Sequence, residues 1–361
     1  MKGVAFPHVK EKLNKKMKQN VFDDFAPRIL KLYHENQDEF WDAVMTPFLA
    51  DSNLTTLFKY RKIGLELMSL FSEIDRERIR FLSEYSTSFE FNLSKWKSLL
   101  KKEEYFKDAY PVYAFLVIWM DHMKMNDHLS RFGNLLRSVV YGIAGYGILD
   151  VIVDDKQFSP VELLTSLMLV AEYETLILKT FGVNQTNLDI LHHIRDQFLR
   201  SEIKEKFTRG NSSPYKKGFP IECGFKAAHL LTPFMLSLEH LGKSANIDPY
   251  FEVFFLFGAV IQILDDLKDI EDDLSIGHFS YITLGSDVIE WHKKGMKPKD
   301  MVKMLWEDKQ RIHQLFGECK DMIRKSRMIL KQLEDPYLEK IVYVTELRLE
   351  SYFRKEFKLA L

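Results

Sequence analysis

The feature of this chain that most constrains its fold is an apolar run that leads directly into a dense group of carboxylates at Ile261–Asp273. Within that group, Asp265, Asp269 and Asp273 lie four residues apart. In a helix this spacing places all three side chains on one face, each turned by about 40° from the last. Like charges at such a spacing repel one another and weaken the helix. The sequence therefore predicts a helix whose acidic end is neutralised by a hard cation.

A second acidic group follows another apolar stretch, at Gly147–Asp155. Asp150 and Asp154 repeat the four-residue spacing, and Asp155 comes directly after them. Several carboxylates without nearby His or Cys suit Mg²⁺, or Mn²⁺, better than Zn²⁺. We expect the two acidic helix ends to share one site, in which divalent cations hold a phosphate-bearing ligand at the mouth of an apolar cavity. A solvated acidic face is the alternative interpretation of either group.

The composition favours a helical protein of a reducing compartment. Glycine (16 residues) and proline (11 residues) are scarce among 361 residues, which favours long helices over turn-rich β structure. The formal net charge of −1 argues against nucleic acid as a partner. Two cysteines, Cys223 and Cys319, give neither a disulfide framework nor a metal-binding spacing. The apolar runs are shorter than the roughly 20 residues of a spanning helix, so we expect a soluble, cytoplasmic protein.

Apolar residues recur at three- and four-residue intervals along most of the chain, and segments of alternating polarity are absent. Ser159 and Pro160 have the residue types of a helix start. We interpret residues 1–361 as one all-α domain, with a basic segment at residues 1–20 and the acidic motifs in a core at about residues 130–285. The basic segment is interpreted as a solvated helix face, with contact to an anionic membrane as the alternative.

The second half of the chain is predicted to contain long helices. Residues 208–219, rich in glycine, serine and asparagine, form the clearest loop. Helices are expected at Glu222–Leu241 and Pro249–Asp273. Two final helices are expected at Lys299–Leu333 and Asp335–Leu361.

Residues one and two turns before each acidic group are candidates for lining a ligand cavity. Aromatic faces in a dry pocket would stabilise a carbocation formed when a diphosphate departs. Gly142 and Gly258 are expected to leave room for the ligand, and an ordinary core is the alternative role for each aromatic residue. The predicted lining residues are Ile143, Tyr146, Phe254, Phe257, Ile261 and Gln262.

These motifs resemble those of class I isoprenoid synthases, which include trans-prenyltransferases, squalene and phytoene synthases, and class I terpene cyclases. The two acidic groups lie about 115 residues apart and in the order found in that superfamily. The DDxxD at Asp265–Asp269, with Gln262 before it, is similar to the second motif of trans-prenyltransferases. Gly224–Ala228 resembles their Lys-Thr-Ala segment, whose lysine contacts diphosphate. However, the first motif of a chain-elongating member ends in an arginine pair. Here Asp155 is followed by Lys156 and Gln157, and no arginine pair appears.

The motifs of this chain also resemble those of other branches of the superfamily. Asp150–Asp155 is more similar to the first motif of squalene synthases, and Asp269–Asp273 followed by His278 resembles the second motif of phytoene synthases, with His278 in place of an arginine. Asp265, Asp269 and Asp273 also fall on the spacing of the Asn–Ser–Glu metal triad of terpene cyclases. This mixture resembles the bacterial terpene synthases that look like prenyltransferases.

The resemblance implies a class I terpenoid synthase-like helical bundle around a central apolar cavity. It implies about three Mg²⁺ ions, with Mn²⁺ as an alternative. Asp150, Asp154, Asp265 and Asp269 would be the catalytic carboxylates. Lys226 and His278 would bind the diphosphate. Arg348, Tyr352 and Arg354 match the arginine–tyrosine pair that closes over the diphosphate in cyclases, although a surface role is the favoured interpretation. The implied metal ligands are Asp150, Asp154, Asp155, Asp265, Asp269 and Asp273.

The implied activity is that of a class I terpene synthase, a lyase that ionises a linear prenyl diphosphate, cyclises the carbocation and releases diphosphate. The first alternative is a prenyltransferase of the same fold, acting by head-to-head condensation or by chain elongation. The second is a non-catalytic helical subunit that binds a prenyl chain. A homodimer is expected from the fold class and not from particular residues. Substrate length and product skeleton depend on cavity shape, which the sequence does not give.

Overall fold

The computed structural model describes residues 21–41, 43, 61–88, 109–154, 160–242 and 247–358. Every regular element among these residues is helical, and they contain no strand, which confirms the all-α prediction. The basic segment at residues 1–20 and Asp155 lie outside the described residues. The α-helices are α1 (Val21–Glu35), α2 (Arg61–Ser88), α3 (Ala109–His122), α4 (Asn126–Leu129), α5 (Phe132–Asp154), α6 (Pro160–Phe181), α7 (Gln185–Thr208), α8 (Gly224–His240), α9 (Ile247–Ser275), α10 (Val288–Lys293), α11 (Pro298–Glu307), α12 (Lys309–Gln332) and α13 (Pro336–Phe357).

The chain divides into two compact units. The first contains Met1–Tyr146 and Leu164–Thr180, and the second contains Gly147–Leu163 and Phe181–Leu361. Helices α5 and α6 therefore each contribute residues to both units. The expectation of one domain stays a prediction.

The core of the first unit is rich in aromatic side chains. Phe25 of α1 is fully buried and stacks on Phe132, with ring centroids 5.8 Å apart. Beside this core, the guanidinium of Arg137 donates a hydrogen bond of 2.8 Å to Asp23. The apolar residues of α1 recur with helical periodicity, so one face is buried while the polar residues face outward.

The central element of the second unit is α9, which packs against α8, α11, α12 and α13. Gly224 begins α8 in a position that only glycine tolerates, because a Cβ there would lie 2.0 Å from the carbonyl oxygen of Phe255. This close approach brings Lys226, two residues further along α8, to the side of α9. At the far end, Asp335 accepts hydrogen bonds from the Tyr250 hydroxyl (3.0 Å) and from the Leu338 amide (3.1 Å).

Helix α9 is also the helix among the described residues that is long and apolar enough to cross a membrane by length and composition. Of that apolar window, 61% is buried inside the protein, as in a core helix.

Helix boundaries follow local capping chemistry. Helix α6 begins at Pro160, as predicted, although Ser159 lies outside the described residues. The single helix expected at Lys299–Leu333 is wrong, because α11 ends at Glu307 and α12 begins at Lys309. The residue between them, Asp308, is the N-cap of α12 and accepts a hydrogen bond of 3.0 Å from the Arg311 amide. An aspartate side chain competes with the helical backbone in this way and so starts a new helix.

Candidate functional site

Lys226 is the centre of a group of buried and partly buried charges in the second unit. Its ammonium lies 2.9 Å from Glu205 Oε2, 3.4 Å from Glu202 Oε1 and 3.7 Å from Asp150 Oδ1. Burial lowers the pKa of Lys226, but the three carboxylates outweigh burial and hold that pKa well above its usual value. A charged ammonium therefore connects the acidic end of α5 with α7 and α8.

Glu205 extends this group to the second acidic motif. Its Oε1 lies 3.3 Å from His278 Nε2, and His278 Nδ1 lies 3.3 Å from Asp273 Oδ1. Burial lowers the pKa of His278, but the hydrogen bond to Asp273 and the charge of Glu205 outweigh it and raise the pKa to about 9. The charged chain Asp150–Lys226–Glu205–His278–Asp273 thus links residues from both predicted acidic groups.

A tight turn after α9 places His278. Gly277 has a φ of 75°, in the left-handed region that glycine adopts without strain. Its carbonyl accepts a hydrogen bond of 2.8 Å from the Gly210 amide, and the His278 amide donates a hydrogen bond of 2.9 Å to the Asp273 carbonyl. The turn holds the imidazole between Asp273 and the end of α7.

Asp266 is a buried carboxylate on α9, with 5% of its surface exposed. Its Oδ1 accepts a hydrogen bond of 2.8 Å from the Gln262 amide, whereas its Oδ2 has no hydrogen-bond partner among the described residues. Burial, and next the charge of Asp273, raise the pKa of Asp266. Gln262, predicted to line the ligand pocket, thus contacts a carboxylate one turn further along its own helix.

We refer to these seven side chains as the Lys226 cluster. All of them belong to the second unit, and the cluster consists of Asp150, Glu202, Glu205, Lys226, Asp266, Asp273 and His278.

Asp265 and Asp269, which we call the exposed pair, lie in a different environment on the same helix. Both residues are exposed, and the side chain of Asp265 retains 51% of its accessible surface. Asp265 Oδ1 lies 4.0 Å from the ammonium of Lys268. The charge of Asp269 acts on the hydroxyl of Tyr352, whose pKa is raised to about 12 by burial, by Glu356 and by Asp269. Tyr352 of α13 therefore lies near the second acidic motif.

Two predicted side chains, those of Asp154 and Arg348, lie outside the described residues, whereas Arg354 is described. Asp154 is the last residue of α5. Arg354 is exposed. The roles predicted for these three residues stay predictions.

Four of the predicted apolar lining residues, Ile143, Tyr146, Phe254 and Phe257, are buried. Ile143 and Tyr146 belong to the first unit, where the Tyr146 ring packs edge-on against Tyr173 at 6.0 Å. A Cβ at Gly142 would lie 2.8 Å from Tyr173 Cδ2, so this glycine allows two helices to pack closely. The space expected there for a ligand is filled by a tyrosine ring.

In the second unit, Phe254 and Phe257 of α9 are 5% and 7% exposed. The Phe254 ring lies 5.6 Å from that of Phe234 on α8. Ile261, one turn closer to the acidic end, is partly exposed. This gradient along α9 runs from packed aromatic residues to partly accessible side chains next to the carboxylates.

Glu202 and Glu205, like Asp266, are functional candidates that sequence reasoning missed. Each is only 2% exposed, although the segment around them reads as an ordinary charged helix. The signal was present, because they continue the buried stripe of α7 that contains Ile194 and Phe198 at helical spacing. An apolar stripe that ends in carboxylates is the same pattern that identified Asp150 and Asp265.

The charge balance of the Lys226 cluster suits a divalent cation. Five carboxyl groups face the two cationic groups Lys226 and His278, and Arg209 adds a third at 3.6 Å from Glu205. The described residues nevertheless contain no group of three or more His, Cys, Asp or Glu side chains arranged to hold a metal ion by themselves. Mg²⁺ typically binds through one or two carboxylates plus substrate phosphates, so the cluster fits a cation that arrives with its ligand.

A separate polar pocket of about 140 Å³ opens between the loop after α9 and the start of α12. Tyr281 and Arg311 are among its lining residues, and none of the predicted site residues is. The ring of Tyr281 lies 6.3 Å from that of Tyr215. We do not assign this pocket to the Lys226 cluster.

Comparison of the chain with protein-family models, with curated proteins and with solved structures gives no match.

Proposed function

We propose that this protein is a class I terpene synthase that ionises a linear prenyl diphosphate and cyclises the resulting carbocation. The observation that carries the proposal is the charged chain from Asp150 through Lys226 and Glu205 to His278 and Asp273. It joins carboxylates that lie more than 100 residues apart in the sequence, at the ends of two largely apolar helices. Helices that end in converging carboxylates are what a metal–diphosphate site requires.

In this proposal, Mg²⁺ ions would be held by Asp150, Asp154 and Asp155 on one side and by Asp265, Asp269 and Asp273 on the other, and they would stabilise negative charge on the departing diphosphate oxygens. Lys226 and His278 supply positive charge next to the carboxylates. Glu205 lies between these two cationic groups, at 2.9 Å and 3.3 Å, and fixes their relative position.

The apolar part of the mechanism belongs to α9. Phe254, Phe257 and Ile261 lie one to three turns before the carboxylates, and an aromatic face next to a developing carbocation stabilises it while water is excluded. In this proposal they fold the prenyl chain behind the diphosphate. The protein acts in the cytoplasm, without nucleic acid as a partner, and a homodimer and peripheral membrane contact are compatible with the assignment.

A prenyltransferase is the alternative that one observation favours. Lys226 lies in the segment that resembles the Lys-Thr-Ala segment of trans-prenyltransferases, and its ammonium is 3.7 Å from the first acidic motif. In a transferase the same cluster would hold the allylic diphosphate while a second prenyl diphosphate reacts. The absence of the arginine pair after Asp155 favours the cyclase.

Product analysis tests the proposal. Purified protein and Mg²⁺ are incubated with single prenyl diphosphates of different lengths, with and without isopentenyl diphosphate, and hexane extracts are analysed by gas chromatography and mass spectrometry. A cyclic hydrocarbon or alcohol from one substrate supports cyclisation. A longer diphosphate or a double-length hydrocarbon identifies a transferase, and no turnover of any substrate favours a non-catalytic prenyl-binding subunit. Diphosphate release that persists in Asp150→Ala and Asp265→Ala would remove both residues from the mechanism.

A further inference from the structure

Glu202 is a carboxylate that the proposed function does not yet use. It lies on α7, outside both acidic motifs, and only 2% of its surface is exposed. Neither of its carboxylate oxygens has a hydrogen-bond partner among the described residues. A buried carboxylate in this state is unfavourable unless a cation or a proton compensates it.

Glu202 and Glu205 differ in how many cationic side chains lie close to them. The Lys226 ammonium is closest to Glu205, at 2.9 Å, and Glu205 also faces His278 at 3.3 Å and Arg209 at 3.6 Å. Among the described residues, Glu202 pairs only with the Lys226 ammonium, at the longer distance of 3.4 Å. Glu205 is therefore neutralised by its neighbours, whereas Glu202 is the surplus carboxylate.

Asp150 faces the same space. Its Oδ1 lies 3.7 Å from the Lys226 ammonium, which Glu202 Oε1 approaches to 3.4 Å, so both carboxylates are next to the same cation. Two carboxylates that approach one ammonium form an oxygen-rich environment, and a hard divalent cation prefers oxygen ligands. Two carboxylates are also the number that Mg²⁺ commonly uses when phosphate oxygens and water complete its coordination.

We infer that Glu202 is a further ligand of the divalent cation at Asp150, so that α7 is a third helix contributing to the metal site. This inference rests on the proposed function, because that function supplies the metal and the diphosphate. Glu205 keeps a different role, since it remains paired with Lys226 and His278.

Metal binding without turnover tests the inference. The full-length protein is titrated with Mn²⁺ in the presence of inorganic pyrophosphate, and free Mn²⁺ is followed by electron paramagnetic resonance. Glu202→Gln is compared with Glu222→Gln, which also removes one carboxylate but from a partly exposed pair with Lys204. We expect Glu202→Gln to weaken Mn²⁺ binding by at least about tenfold, because even indirect partners of a metal typically contribute that much. Glu222→Gln should bind Mn²⁺ like the wild type.

Stability of the metal-free variant separates loss of a ligand from loss of structure. Glu202→Gln should unfold in urea at the same or a higher concentration than the wild type, because it removes a surplus buried charge. If this variant does not fold, Glu202→Asp, which keeps the charge but shortens its reach, takes its place and is expected to bind Mn²⁺ several-fold more weakly.

The outcomes separate the role of Glu202 as a metal ligand from the proposed function on which that role depends. Wild-type affinity in a folded Glu202 variant, with normal binding by the wild-type protein, would overturn the role of Glu202 alone. Failure of the wild-type protein to bind Mn²⁺ with pyrophosphate would overturn the proposed function and the inference together. A tenfold loss in Glu222→Gln as well would show that net charge, and not coordination by Glu202, governs affinity.

Discussion

The Lys226 cluster and the exposed pair place carboxylates from the same acidic helix end in opposite environments. Asp266 is 5% exposed and receives a hydrogen bond from Gln262, whereas the side chain of Asp265, its neighbour, is 51% exposed. Within the cluster, Glu202, Glu205, Asp266 and His278 are buried, so their charges interact more strongly than they would in water. At the exposed pair, water screens the charges, so their interactions contribute little to folding.

This difference separates stability from ligand binding. Substitutions in the Lys226 cluster should change the free energy of unfolding, because they alter the balance among buried charges. Substitutions at Asp265 or Asp269 should leave stability nearly unchanged and act on the metal–diphosphate complex. The following experiments test that separation.

The largest effect is expected from Lys226→Met. Removal of the ammonium leaves Asp150, Glu202 and Glu205 facing one another without their shared cation, which should lower the free energy of unfolding by about 3–5 kcal/mol. Lys268→Met is the matched control, because Lys268 is 4.0 Å from the exposed Asp265, and it should change stability by less than about 0.5 kcal/mol. Urea unfolding of both variants measures the difference. Equal effects would contradict the contrast between the two regions.

The free energy of unfolding should depend on pH because of His278. Its pKa is about 9 in the folded protein and about 6.5 in an unfolded chain, so the folded state binds the proton more tightly. Its contribution, on the order of 3 kcal/mol, is complete below about pH 6.5 and is lost as the pH rises through about 9. Urea unfolding across that range should show a smaller decline in His278→Gln than in the wild type.

The control for this pH series is His313→Gln, because His313 lies on the exposed side of α12. It should retain the wild-type decline in stability with pH. A decline in His278→Gln as steep as that of the wild type would show that the imidazole does not carry the pH dependence.

Asp266→Asn is expected to increase the free energy of unfolding, in contrast to Lys226→Met, and by a smaller amount. Burial and Asp273 raise the pKa of Asp266, so its ionised form is disfavoured in the folded protein. Asparagine keeps an acceptor for the Gln262 amide and removes the charge, which should raise stability by about 1–2 kcal/mol at about pH 8. Asp265→Asn should fall within about 0.5 kcal/mol of the wild type. Destabilisation by Asp266→Asn would show that a further partner stabilises the ionised Asp266 carboxylate in the folded protein.

Much of the fold could be predicted from local patterns. The start of α6 at Pro160 and the acidic end of α9 follow from residue types and helical spacing, which act over one or two turns. The break at Asp308 was missed, because its neighbours continue the helical pattern and only the cap shows where one helix ends and the next begins.

The candidate site was predicted in part. Spacing identified Asp150 and Asp273, and the resemblance to isoprenoid synthases implied Lys226 and His278. The structure brings these four residues together in one charged chain. The same spacing could not show that Asp266, rather than Asp265, is the buried neighbour, because burial depends on which helices pack against α9. Glu205 was missed although it continues the buried stripe of α7, since an acidic residue on a charged helix is exposed in most proteins.

In the proposed function, the two acidic groups bind one metal–diphosphate complex. A double-mutant cycle on Mn²⁺–pyrophosphate affinity tests it directly, with Asp150→Asn, Asp269→Asn and the double variant compared with the wild type. A shared site predicts that each single variant loses at least about tenfold in affinity and that the double variant loses clearly less than the product of the two. Losses that multiply independently, or single variants with wild-type affinity, would contradict a common site.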